Sequence, residues 1–125
     1  IAAKYIQAFA NFRSISLPTE KKWARSSWHI FVIKVNKKYL LVNRDKIFNA
    51  LKAENIGVNL HYIPIHKHPF YKKNKLYISD KLTKTEKAFE EMITLPIFPA
   101  MTDQDINDVI NAVTKVLNHF SKKLI

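Results

Sequence analysis

The chain predicts a small α/β domain of the α+β type, with a small mixed or antiparallel sheet packed by about four helices. Three observations carry that prediction. Apolar residues recur at helical spacing in some stretches and in short β-branched or aromatic runs in others. The 125 residues suffice for one core hiding about two-thirds of the unfolded surface. No stretch repeats another, which leaves a single layered unit.

Ile1, Tyr5, Ala8, Phe9 and Phe12 share one helical face, so the chain opens on an amphipathic helix already under way at its first residue. Ser14 to Ser27, with Pro18 and few periodic apolar residues, is a connector. Trp28 to Val35 is aromatic and β-branched without a breaker and predicts a strand; Asn36 to Lys38 can turn it, with a return strand over Tyr39 to Val42. A second helix starts near Asn43, a capping residue, and turns Ile47, Phe48 and Leu51 inward. It ends before Gly57, the one glycine, which is expected in a conformation other residues tolerate poorly. The next strand alternates, with Val58, Leu60 and Tyr62 on the inner face and Asn59, His61 and Ile63 on the other. Thr83 and Glu86 have the spacing of a capping box ahead of Phe89, Met92 and Ile93, the stripe of a third helix, and Leu95 to Phe98, with Pro96 and Pro99, predicts a short strand at an edge or an end of the sheet. Thr102 caps the last helix, whose stripe is Ile106, Val109, Ile110, Val113, Val116, Leu117 and Phe120, with Lys122 and Lys123 in its final turn.

Between Asn59 and Tyr71 the chain concentrates three of five histidines and two of five prolines. Pro64 and Pro69 fix φ and remove backbone donors, so the chain after Tyr62 is expected to leave the strand and run as a stiff irregular loop holding its histidines and tyrosines in place. His61, His66 and His68 could serve as zinc ligands, but no cysteine exists and no carboxylate lies in the stretch. A single glycine also leaves no nucleophile elbow, P-loop or dinucleotide fingerprint.

Twenty-one basic against ten acidic residues give a net charge of +11. The cations are scattered, and the groups Lys21, Lys22, Arg25 and Lys72, Lys73, Lys75 are short, which reads as solvated lysine rather than a nucleic-acid stripe. A free-standing basic module binding nucleotide or RNA without catalysis is the alternative. The absence of cysteine fits a reducing compartment, and no run approaches the roughly 18 apolar residues of a membrane span. Ile1-Ala2-Ala3 lacks a signal-peptide pattern, and the chain is expected to be a piece of a longer one.

Five pieces, in order, resemble the C-terminal small domain of the DegT/DnrJ/EryC1/StrS family of nucleotide-sugar aminotransferases. They are Ile1-Ala2-Ala3-Lys4-Tyr5; Ser27-Trp28-His29-Ile30-Phe31; Arg44-Asp45-Lys46 with Asn55-Ile56-Gly57-Val58; His61-Tyr62-Ile63-Pro64-Ile65-His66 with Pro69 and Tyr71; and Leu95-Pro96 with Met101-Thr102-Asp103. The resemblance implies a fold type I enzyme using pyridoxal phosphate (PLP), cytoplasmic and homodimeric, that transfers an amino group, usually from glutamate, to a nucleotide-linked keto-sugar in polysaccharide biosynthesis. It implies that residues 1–13 are the remnant of an interdomain helix and 14–125 the small domain. The Schiff-base lysine, the phosphate cup and the rest of the PLP site then belong to a large domain absent from this chain, which alone should be inactive and bind no cofactor or metal. His61, Tyr62, His66 and Tyr71 match the segment bordering the substrate cleft in that family, and His29 matches a nearby position. Cut from its large domain and partner subunit, such a piece is expected to expose Ile1, Tyr5 and Phe9, together with Ile63, Ile65 and Phe70. Neither nucleic acid nor membrane is an expected partner.

Overall fold

The computed structural model describes residues 1–74 and 82–122. Helix α1 (Ala2–Phe9) leads to strand β1 (Ile15–Ser16), and a long irregular segment then reaches β2 (Phe31–Val35). Helix α2 (Arg44–Ala53), a 3-10 turn (Ile65–Lys67) and the short helix α3 (Pro69–Asn74) follow, then α4 (Thr83–Glu91), strand β3 (Met92–Leu95) and the long α5 (Asp103–Phe120). The three strands form an antiparallel sheet in the order β1-β2-β3, with Ile15 opposite Val35 and Phe31 opposite Leu95.

Alternation along β2 makes the core. Phe31, Ile33 and Val35 point inward and are buried while Lys34 is exposed, as a half-covered strand requires. Helix α5 turns Ile106, Val109, Ala112, Val113, Val116 and Leu117 into the same cluster and packs against both α1 and α2, while α4 packs against β2. Its start is set as the sequence predicts. The Thr102 hydroxyl accepts the Asp105 N–H at 3.1 Å, and the Asp105 carboxylate accepts the Thr102 N–H at 2.8 Å. Asn43 likewise caps α2, its Oδ1 accepting the Lys46 N–H at 3.0 Å.

Several elements differ from expectation, each for a local reason. Strand β2 begins at Phe31 rather than Trp28, because Trp28 takes φ of 52°, outside extended backbone. Tyr39 to Val42 is no return strand; both edges of β2 are already taken, and Leu40 makes a single rung with Ser121. The connector after α1 contains β1. The stretch Val58 to Ile63 is also reduced to one rung, Asn59 to Thr94, and Tyr62 turns outward with 66% of its surface exposed. Gly57 does not have positive φ; the left-handed residue of that turn is Asn55, at φ of 62°, a conformation asparagine tolerates.

Thr83 does not cap α4, since the helix starts from Leu82 and the Glu86 carboxylate is engaged by His66. Met92 and Ile93 belong to β3 instead of to the helix stripe; the strand ends at Leu95, ahead of Pro96, so it lies three residues earlier than the expected Leu95 to Phe98, and it forms an edge of the three-stranded sheet. Helix α5 ends at Phe120, so Lys122 lies beyond its last turn, and Lys123 lies outside the described residues, as does Lys75. The apolar stripe of the opening helix is not exposed either, and Ile1 is half-buried. Tyr5 and Phe9 are fully covered, Tyr5 edge-on to Phe31 with 5.2 Å between ring centroids. Ile63, Ile65 and Phe70 are exposed as expected. The segment expected to be an irregular loop holds both the 3-10 turn and α3 before it leaves the described residues after Asn74.

Candidate functional site

The turn after α2, the end of β3 and the first turns of α5 enclose a cleft of about 580 Å³. Three elements deliver its polar groups. The Asn55 turn aims the chain back toward the sheet, and Asn59 is then fastened to β3 by two hydrogen bonds: its N–H donates to Thr94 O at 3.1 Å and its carbonyl accepts the Thr94 N–H at 2.8 Å. That rung places Asn59, and two residues later His61, on the same wall, the face the alternating pattern assigns them. His29, just ahead of β2, lines the same cleft.

Two buried atoms here lack partners among the described residues, His61 Nδ1 and Thr94 Oγ1. A buried polar atom without a hydrogen bond is costly, so both are suited to a ligand or water at this wall. On the far side Asp105 and Asp108 carry negative charge into the lining. The Thr102 hydroxyl and then the Thr102 N–H hold the Asp105 carboxyl below the usual carboxylate range, so it stays ionised. The Gln104 amide donates to Asp108 at 2.7 Å. Amides, imidazoles and carboxylates around an apolar floor of Leu95, Ile97 and Val109 suit a hydroxyl-bearing ligand; the two carboxylates disfavour a phosphate at this spot.

The five residues singled out from the sequence separate into two groups. His29 and His61 meet at the cleft, with the Tyr62 ring packed edge-on against His61 at 4.7 Å between centroids. His66 instead turns to α4, its Nε2 3.2 Å from Glu86 Oε1, and Tyr71 lies on α3 with its ring edge-on to Phe70 at 5.4 Å. His66 thus fastens the loop. Helix α4 is gripped a second time at Phe89, whose ring carries both the buried Arg44 guanidinium at 5.3 Å and the Lys67 ammonium at 5.4 Å. His68 reaches only the Ile63 carbonyl, 3.2 Å away. Among the described residues no three His, Asp or Glu side chains converge to hold a metal.

Sequence reasoning missed Thr94, Asp105 and Asp108. The signals were present: Thr94 is the lone polar residue within the β3 run, and Asp105 and Asp108 lie three apart near the start of α5, where both reach one side.

Residues 1–114 match the model of the DegT/DnrJ/EryC1/StrS aminotransferase family. An uncharacterized protein of Methanocaldococcus jannaschii is 41% identical over 118 residues, 94% of this chain and 31% of that protein. The spore coat polysaccharide biosynthesis protein SpsC of Bacillus subtilis is 35% identical over 118 residues, again 94% of this chain and 30% of SpsC. Among solved structures, S. venezuelae DesV in complex with a ketimine intermediate superposes with a TM-score of 0.80 at 25% identity, over 99% of this chain and 31% of DesV. The chain therefore spans about a third of the length of these relatives. A PLP anchor requires a lysine amine at the reacting carbon. The described lining of the cleft holds none, so these residues do not themselves furnish that anchor.

Proposed function

Since the chain belongs to the DegT/DnrJ/EryC1/StrS aminotransferase family, we propose that it is the C-terminal small domain of a PLP-dependent sugar aminotransferase. Residues 1–13 are then the end of an interdomain helix and 14–125 the small domain. The parent passes an amino group, from glutamate, to a nucleotide-linked keto-sugar for polysaccharide synthesis, and works in the cytoplasm as a homodimer. PLP, bound through a lysine in the rest of the parent, supplies the electron sink for amino transfer. This chain alone is inactive.

The observation that supports its share of the work is the cleft wall at His61, where Nδ1 lacks a partner and His29 lines the same space. In this reading His61 and His29 hydrogen-bond sugar hydroxyls, and Asn59 and Thr94 extend that contact. Tyr62 shields the imidazole of His61 from water. His66 acts at one remove, tying the wall to α4 through Glu86, and exposed Tyr71 borders the opening from α3. Asp105 and Asp108 favour the sugar over the phosphates here. The diphosphate is placed outside the cleft, where the positive surplus of the chain attracts it.

The test uses the full-length parent. His61→Ala should slow the half-reaction with the sugar substrate by about 5- to 100-fold, because a sugar hydroxyl left without its partner in the cleft costs roughly 1–3 kcal/mol, while the half-reaction with glutamate keeps its rate. Equal damage to both half-reactions would remove His61 from the sugar side.

A further inference from the structure

A second recess, of about 300 Å³, lies toward the C-terminal end of α5. Helices α1 and α5 run parallel, joined near their starts by the Lys4 ammonium and Asp103 at 2.7 Å, and the residues that follow each helix meet at this recess. Its chemistry is the reverse of the first cleft. Arg13 and Lys122 bring two positive charges, Tyr39, Asn11 and Asn118 bring neutral donors, and no carboxylate is among its described lining residues.

Ser14, also in the lining, is 3% exposed, and its hydroxyl has no hydrogen-bond partner among the described residues. Its backbone is held in place, because the Asn36 N–H donates to the Ser14 carbonyl at 2.8 Å. A buried hydroxyl fixed in position without a partner marks a donor left for something else. The end of a helix ordinarily repels anions through its free carbonyls. Here three of the last four carbonyls are engaged: Leu117 O accepts the Ser121 hydroxyl at 2.7 Å, Asn118 O accepts the Ser121 N–H at 3.4 Å, and Phe120 O accepts the Leu41 N–H at 2.9 Å. Arg13 forms no ion pair among the described residues, and Lys122 reaches only the Lys37 carbonyl, at a long 3.4 Å.

We propose that this recess binds a small oxyanion, a phosphate ion or a phosphoryl group, between Arg13 and Lys122, with the Ser14 hydroxyl donating from the floor. The site is separate from the cleft at His61 and stands independently of the aminotransferase reading. Charge-assisted bonds from a guanidinium and an ammonium suit such a ligand.

Amide chemical shifts of the chain, followed during titration with inorganic phosphate and separately with methyl phosphate at constant ionic strength, test this. Saturable shifts at Ser14, Tyr39 and Asn118 are expected, with Gly57 and Thr94 unmoved. Arg13→Ala and Lys122→Ala, both at exposed positions, should each weaken binding by about tenfold. Ser14→Ala, small enough to keep the fold, should weaken it less. Tighter binding of methyl phosphate identifies a phosphoryl-bearing ligand; tighter binding of phosphate identifies the free ion. Shifts that never saturate, that centre on Thr94, or that survive Arg13→Ala and Lys122→Ala unchanged would overturn the proposal.

Discussion

The sheet with its flanking helices and the segment from Asn59 to Asn74 use similar residues in opposite ways. In the first, Tyr5, Phe9, Phe31 and Leu95 are almost wholly withdrawn from solvent. In the second, Tyr62, Ile65 and Phe70 each expose more than three-fifths of their surface. Aromatic and aliphatic side chains that leave the core unfilled and stand in water contribute little to folding, so their identity answers to some other requirement. The segment is nevertheless anchored. One rung at Asn59, the His66 contact with Glu86 and the Lys67 ammonium over the Phe89 ring hold it. Polar anchors beneath an apolar exterior suit a wall that another surface covers.

The sharpest break between the two regions is thermodynamic. Phe31→Ala should remove about 3–5 kcal/mol, a large share of the total stability of a small domain, whereas Ile65→Ser and Phe70→Ser should each change it by no more than about 0.5 kcal/mol. Urea unfolding followed by circular dichroism measures all three. A comparable loss at Ile65 would place that segment inside the core in solution and erase the contrast.

A second effect, smaller and confined to alkaline solution, comes from Tyr5. Burial pushes its phenol from 10 up to about 12, and the hydroxyl donates to the Pro96 carbonyl at 2.8 Å. A folded-state pKa above the unfolded one gives stability that is complete below pH 10 and lost as pH rises through 12. The loss amounts to about 2–3 kcal/mol across that window. Tyr5→Phe should flatten this part of the stability profile relative to the parent chain. An unchanged alkaline slope would mean that Tyr5 ionises as freely in the fold as in the open chain.

The same contrast governs what could be read from the sequence. Helices α1, α2 and α5 were legible in their faces, and α2 and α5 also in their caps, because a long periodic stripe admits one burial solution and Asn43 and Thr102 act on neighbouring backbone. Short elements depended on partners the sequence does not display. Trp28 to Ile30 have strand-forming side chains, yet the chain bends left-handed at Trp28. Tyr39 to Val42 lost its place because β1, two residues long, occupies the edge of β2. The Glu86 side chain was taken by a histidine twenty positions away. At the cleft, the shared face of Asn59 and His61 was readable, while the approach of Asp105 and Asp108 from the far side was set by how α5 docks.

Gly57 sits in that cleft wall without the backbone geometry that only glycine permits, and a methyl group added to it would meet nothing within 4 Å. Chain entropy therefore favours alanine at this position by about 0.4–1 kcal/mol. Gly57→Ala should raise the melting temperature slightly while intruding on the cleft, and an unchanged or lower melting temperature would show that the backbone does need glycine there. The sole glycine of the chain is thus a matter of vacancy, not of flexure: by this measure it forgoes a small gain in robustness to leave room for a guest, and a search for sturdier variants that begins here would select against whatever the cleft admits.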